Sequence, residues 1–89
     1  MKKHINIQIA GFVQGVGFRY WTRDLAFELS IKGYVRNLPN GDVYISAEGE
    51  AEMLEVFINK CYDGPIRAKV KRLTQIEGAI ENIEDFIIV

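Results

Sequence analysis

Apolar and polar residues alternate in three parts of this chain. Ile5, Ile7 and Ile9 are each separated by a single polar residue, and this period of two predicts a strand with one buried face. Residues 34–38 and 43–48 alternate in the same way and flank a Pro-Asn-Gly-Asp sequence. Because Asn-Gly between alternating segments is a strong hairpin signal, we predict that these two strands form a hairpin.

Two other segments have apolar residues at helical spacing. Residues 20–31 contain no Gly or Pro and are followed by Gly33, which we take as the signal that ends the helix. Residues 50–62 have a similar apolar face and acidic residues near their start, where the helix dipole favours negative charge. After a Gly-Pro break, residues 66–76 and 85–89 are predicted to form the last two strands.

The predicted order is βαββαβ with a final short strand. It indicates an α+β sandwich of ferredoxin-like type, in which two helices pack on one face of an antiparallel sheet. With 89 residues the chain has room for one domain, residues 1–89. We expect residues 78–84 to be the most mobile loop. The architecture does not define an activity, since it hosts many unrelated ones.

Charge and composition narrow the possible partners. The net charge of −1 gives no general attraction to nucleic acid or to anionic lipid, so neither is an expected partner. No apolar segment is long enough for a signal peptide core or a membrane span, and we expect a cytoplasmic monomer. Cys61 is the only cysteine and falls on the apolar side of the second helix, so we expect a buried packing residue. His4, the only histidine, is expected on the surface of the first strand.

Residues 11–19, Gly-Phe-Val-Gln-Gly-Val-Gly-Phe-Arg, lie between the first strand and the first helix. Glycine allows a loop to curl so that successive N–H groups point inward, and a helix N-terminus adds partial positive charge. Arg19 could grip two phosphate oxygens at once. The loop lacks the Gly-Lys-Ser/Thr ending of a P-loop and the spacing of a dinucleotide motif. The predicted ligand is therefore a small anion rather than a nucleotide.

This segment resembles the first signature of the acylphosphatase family. Residues 33–43, Gly-Tyr-Val-Arg-Asn-Leu-Pro-Asn-Gly-Asp-Val, continuing to Glu48-Gly49, resemble the second signature. The two motifs match the family in residue type, in internal spacing and in their separation. The resemblance covers essentially the whole chain and agrees with the predicted fold.

The resemblance implies hydrolysis of the carboxyl–phosphate anhydride of small acyl phosphates, without a metal or an organic cofactor. It assigns phosphate binding to Arg19 and to loop amides, and positioning of the attacking water to Asn37. The residues that supply the amides are Val13, Gln14, Gly15, Val16, Gly17 and Phe18. Inorganic phosphate or sulfate should compete for the same site.

Each assignment has a structural alternative. Arg19 could be an ordinary exposed arginine, although a cation at a helix start opposes the dipole. Asn37 could be a turn residue, although period two places it on the face of Val35. We expect Gln14 to contribute only its backbone, with its side chain toward solvent, and the Phe18 ring to belong to the core.

Other classes of protein share this fold and are alternatives to a free-standing enzyme. The acylphosphatase-like domain of the carbamoyl-transfer factor in hydrogenase maturation belongs to a longer chain with zinc-finger segments, which are not present here. An RNA-binding module needs aromatic residues on its central strands, of which Tyr44 is the one candidate. A metal chaperone would need two cysteines in the first loop. A regulatory domain that binds an anion without turnover stays open.

A row of cations, Arg67, Lys69 and Lys71, alternates along the strand predicted at residues 66–76. Such a row could indicate nucleic-acid binding. We favour the interpretation that these charges keep an exposed sheet face or edge from pairing with other chains. Arg23, one turn after Arg19, is expected to be a solvated helix residue.

Overall fold

The computed structural model describes residues 1–89 and contains one five-stranded sheet in the order β4-β1-β3-β2-β5. The elements along the chain are β1 (Lys2–Phe12), α1 (Phe18–Glu28), β2 (Lys32–Asn37), β3 (Val43–Glu50), α2 (Ala51–Cys61), β4 (Lys69–Gly78) and β5 (Phe86–Ile88). This architecture confirms the predicted ferredoxin-like α+β fold. Neither helix has the length and apolar character that crossing a membrane would require.

The sheet is mixed because of its last strand. β1 lies antiparallel to both β3 and β4, and β2 lies antiparallel to β3 across the predicted hairpin. β5 pairs with β2 in parallel, from Gly33↔Phe86 to Val35↔Ile88. The chain reaches this position by crossing the sheet from one edge, β4, to the other.

A single apolar core lies between the sheet and the helices. The isoleucines of β1 at positions 5, 7 and 9 all point into it, as their alternation predicts. Phe57 from α2 and Phe18 from the start of α1 are its largest side chains and are at most 2% exposed. Cys61 is fully buried, which confirms its predicted packing role.

Helix α1 begins and ends earlier than the residues 20–31 predicted from periodicity. It begins at Phe18 because Gly17 adopts a left-handed conformation, with φ 79°, that turns the chain into the helix. It ends at Glu28 because Ser30 is left-handed as well, with φ 56°. The prediction that Gly33 stops the helix is wrong, since Gly33 lies within β2.

Gly33 has a different reason to be glycine. Its φ is 141°, and a Cβ built on it would lie 1.7 Å from the carbonyl oxygen of Ser46 on β3. Any side chain here would push β2 away from β3, so the close approach of the two strands requires glycine.

β4 is an edge strand, as the row of cations predicts. Its bounds are shifted by about two to three residues from the predicted 66–76, so Arg67 precedes the strand while Lys69 and Lys71 lie within it. All three side chains are exposed. Exposed charges on an edge strand disfavour pairing with another chain.

The prediction that His4 is a surface residue is wrong. His4 is 1% exposed and contacts Glu48 and Ser46, which are buried beside it on the sheet face without helices. The reason is that residues 79–85 cross this face on their way from β4 to β5 and cover it. This segment overlaps residues 78–84, the loop expected to be most mobile, and its Glu81 and Asn82 amides donate hydrogen bonds to Glu48.

Candidate active site

The two sequence motifs meet at one end of the sheet. The loop of residues 13–17 leaves the end of β1, and Asn37 is the last residue of β2. Both strands pair with the first residue of β3, through Ile9↔Val43 and Asn37↔Val43. The register therefore places the loop and Asn37 at the same end of the sheet, with β3 between them.

The loop owes its path to two glycines. Gly15 has φ 73° and Gly17 has φ 79°, a region in which side chains with a Cβ are strained. A Cβ at either position would meet nothing within 4 Å, so backbone conformation rather than space requires glycine. The surface beside both residues is open to a ligand.

The backbone amides of this loop are free. No N–H of residues 13–17 donates to a protein acceptor, and the first helical hydrogen bond runs from Trp21 N to Gly17 O at 3.0 Å. No side chain caps α1, and its first turn holds no acidic residue. The amides that lack partners at any helix start are thus left for an anion, in the favourable field of the helix dipole.

Arg19 lies in the first turn of α1, half-buried, and takes part in none of the protein's ion pairs. Its neighbour Phe18 packs in the core, as predicted, and ties this turn to the body of the domain. Arg23 differs, because it lies 3.7 Å from Asp24 and 5.1 Å from the Tyr20 ring centroid. Arg19 is therefore the cation of α1 whose charge no carboxylate neutralises.

The prediction that the Gln14 side chain points to solvent is wrong. Its Nε2 donates to the carbonyl of Leu38 at 2.8 Å and to that of Asp42 at 2.9 Å. Both carbonyls belong to the β2–β3 turn, whose own ends are joined by Leu38 N to Asp42 O at 2.8 Å. The Gln14 side chain thus connects the loop to the residue that follows Asn37.

Asn37 is partly exposed on the face that carries buried Val35, as the strand period predicts. Its carboxamide makes no hydrogen bond within the protein. An amide both donates and accepts, so this side chain can orient a water molecule through a lone pair and a proton together.

The three surface concavities, about 420–430 Å³ each, are lined by other residues. One of them lies between α2 and the β1–β4 side of the sheet, with Ile5, Leu54 and Ile58 among its lining residues. A drug-sized ligand would favour such a cleft, whereas one tetrahedral anion needs only a curled loop with inward amides. No three His, Cys, Asp or Glu side chains converge closely enough to hold a metal ion.

Comparison with known proteins agrees with these two motifs. The Acylphosphatase family matches residues 5–88. An acylphosphatase of Archaeoglobus fulgidus is 50% identical over 82 residues, 92% of each chain. The structure of an acylphosphatase from Coxiella burnetii superposes with a TM-score of 0.96 at 34% identity, covering 99% of this chain and 93% of that one.

A longer protein also contains this fold. Full-length HypF, solved in a phosphate- and nucleotide-bound form, matches all of this chain at 30% identity and a TM-score of 0.90. The match covers 12% of the HypF chain. The family profile, the sequence relatives and the superposed structures lead to one conclusion: the chain belongs to the acylphosphatase family.

Proposed function

We propose that this chain hydrolyses small acyl phosphates to a carboxylate and inorganic phosphate. The observation that carries the proposal is the run of unpaired amides at residues 13–17, which continues into the uncapped start of α1 beside Arg19. Such an arrangement suits a phosphate dianion, since amides, helix dipole and guanidinium all favour negative charge. Membership of a family of hydrolases supports the reaction.

Phosphate binding is assigned to backbone and to one side chain. Arg19 is proposed to hold two phosphate oxygens through its planar fork. The remaining contacts are proposed to come from the amides of Val13, Gln14, Gly15, Val16, Gly17 and Phe18. Phosphoryl transfer depends mainly on positioning and on stabilising charge at the equatorial oxygens, and these groups supply both.

Asn37 is proposed to hold the attacking water. The water oxygen attacks phosphorus, and the bond from phosphorus to the acyl oxygen breaks, so that the carboxylate leaves with the electron pair. Because the conjugate acid of a carboxylate has a pKa of about 4, the leaving group departs without a proton from the enzyme. The proton released by the water passes to the phosphate product or to solvent.

The proposal also covers the oligomeric state, the cellular location and the binding partners of the protein. Residues 1–89 act as one domain and as a monomer in the cytoplasm, and phosphate or sulfate competes with substrate for the loop. One continuous core of 17 buried residues supports a single folding unit. Nucleic acid is not a proposed partner, because a net charge of −1 gives the chain no general attraction to a phosphate backbone.

The test is hydrolysis of benzoyl phosphate by the purified protein, with and without a chelator. We expect turnover that the chelator does not change. Arg19→Ala should reduce kcat/KM by at least ~10²–10³-fold while the fold stays cooperative, by analogy with removal of one oxyanion donor. Arg67→Ala, which removes an exposed arginine elsewhere, is the matched control and should have wild-type activity.

Two outcomes would contradict the proposal. Near-normal turnover by Arg19→Ala would remove that residue from the mechanism. Saturable binding of phosphate to the wild-type protein without hydrolysis of any acyl phosphate would instead indicate a regulatory anion-binding domain.

A further inference from the structure

The segment that crosses the sheet between β4 and β5, residues 79–85, has little that holds it in place. None of its side chains is buried. It lies at the end of β1 where His4 pairs with Gly78, about 30 Å along the strand from the glycine loop. Its attachment to the domain therefore depends on a small number of polar contacts.

Glu48 provides the central contact. Its side chain is fully buried, although carboxylates are almost never buried without partners. The backbone amides of Glu81 and Asn82 donate to it at 2.9 Å and 2.8 Å. Asn82 has φ 56°, a left-handed conformation that Asn tolerates and that allows two successive amides to face one anion.

Two buried side chains, His4 and Ser46, form a chain of polar contacts that ends at Glu48. His4 Nδ1 donates to Glu48 Oε2 at 3.2 Å, because an ionised carboxylate can only accept. His4 Nε2 lies 2.8 Å from the hydroxyl oxygen of Ser46. Burial alone would raise the pKa of Glu48, but the hydrogen bonds from Glu81, His4 and Asn82, together with nearby Lys2, outweigh it and lower the pKa. The carboxylate is thus held in its charged form.

β5 follows this segment, is only three residues long, and packs against the neighbouring strand β2 and against helix α1. It pairs with β2 over three residues and is extended by Gly33 N to Asp85 O at 2.8 Å and Val89 N to Val35 O at 2.9 Å. Its apolar residues are only partly buried, with the Phe86 ring edge-on to Phe57 at 6.4 Å. A short edge strand of this kind is a candidate for local opening.

Serine, histidine and glutamate at these spacings also resemble a hydrolytic triad. Ser46 is 4% exposed and His4 is 1% exposed, so no substrate could reach the hydroxyl while the crossing segment is in place. The arrangement serves instead to satisfy a buried charge, which would be strongly destabilising without these partners.

We propose that Glu48, supported by His4 and Ser46, is a latch that holds residues 79–89 on the sheet, and that this segment opens as one unit when the latch is lost. The latch acts at the opposite end of the sheet from the glycine loop and is independent of the proposed hydrolysis. Opening would leave β2 as an unpaired edge.

The test is amide hydrogen exchange at neutral pH, read by residue, for the wild type, Glu48→Gln and Glu77→Gln. Glu48→Gln preserves the shape of the side chain but removes the charge and one acceptor oxygen. We expect exchange at Glu81, Asn82 and residues 86–89 to be at least ~10-fold faster, with β1 and β3 unchanged. Glu77→Gln, which alters an exposed glutamate, should match the wild type, and hydrolytic activity should be unchanged in both variants.

Two results would overturn the proposal. Unchanged exchange at residues 86–89 would show that β5 is held without Glu48, and a uniform increase over the whole sheet would show a loss of global stability instead. If Glu48→Gln does not fold, Ser46→Ala provides the same test, because it weakens the latch only through His4. A smaller increase confined to residues 81–89 would then support the latch, and no increase there would refute it.

Discussion

The side-chain amide of Gln14 donates to the carbonyl of Leu38 at 2.8 Å. This hydrogen bond joins the glycine loop, which is proposed to bind phosphate, to Leu38. Leu38 directly follows Asn37, and Asn37 is the residue proposed to hold the water. A second bond from the same nitrogen to Asp42 O, 2.9 Å, fixes the direction of the amide. The strand register brings the two proposed groups to the same end of the sheet, and the Gln14 side chain links them directly.

Gln14→Ala should therefore lower kcat by up to ~10²-fold, the cost of a small misplacement of reacting groups. The affinity for inorganic phosphate, measured as its inhibition constant, should change much less, since the backbone amide of residue 14 is retained. Gln75→Ala, at an exposed glutamine of β4, is the control. A large loss of phosphate affinity with normal kcat would assign Gln14 to anion binding instead.

Asn37→Ala should separate water positioning from phosphate binding. We expect a lower kcat with a nearly constant phosphate inhibition constant, because the carboxamide is proposed to contact the water and not the anion. Steady-state kinetics with benzoyl phosphate give both values. Asn59→Ala, on the exposed side of α2, should behave as wild type. An equal loss in both quantities would place Asn37 on the phosphate.

The Glu48 carboxyl is expected to make the free energy of unfolding depend on pH in the acidic range. Its folded-state pKa lies below the ordinary value of 4.5, so the ionised group favours the folded state. This contribution is complete above pH ~4.5 and is lost as the pH falls through the lower folded-state pKa. The difference in unfolding free energy between wild type and Glu48→Gln, from urea titrations, should be constant above about pH 5 and shrink toward pH 3. A difference that stays constant to pH 3 would contradict the assignment.

Cys61 should be inert in the folded protein. Burial raises the pKa of its thiol to about 12, against an ordinary value of 9.0, so the reactive thiolate is about 10³-fold less populated at neutral pH. Iodoacetamide should label the native protein only as fast as it unfolds. The same protein in urea, with its cysteine exposed, is the control. Rapid labelling under native conditions would mean that α2 opens locally.

The parts of the molecule predicted correctly from sequence depend on local rules. The alternation of Ile5, Ile7 and Ile9 describes one strand, and an Asn-Gly pair describes one turn. The loop at residues 11–19 is readable because glycine has few other reasons to recur at this spacing next to a helix. Its geometry agrees with that reading, although the roles of Arg19 and Asn37 stay predictions.

The features missed depend on contacts distant in sequence. Alternation places His4 on the polar face of β1, but it carries no information on the segment that covers this face. The acceptor for Gln14 is a backbone carbonyl 24 residues away. Because every residue has such a carbonyl, the sequence does not indicate which one accepts. The β1–β3 register, which places Glu48 directly opposite His4, is known only from the structure.

The packing of Phe18 against Gly64 has a further consequence. A Cβ at Gly64, in the turn after α2, would lie 2.6 Å from the Phe18 ring. The absence of a side chain at Gly64 therefore allows the Phe18 ring to pack against this turn. Phe18 immediately precedes Arg19, and the turn at Gly64 that the Phe18 ring packs against belongs to the second half of the chain. An excised peptide containing both sequence signatures would therefore be a poor catalyst: it would hold every residue named in the reaction and lack the surface against which they are braced.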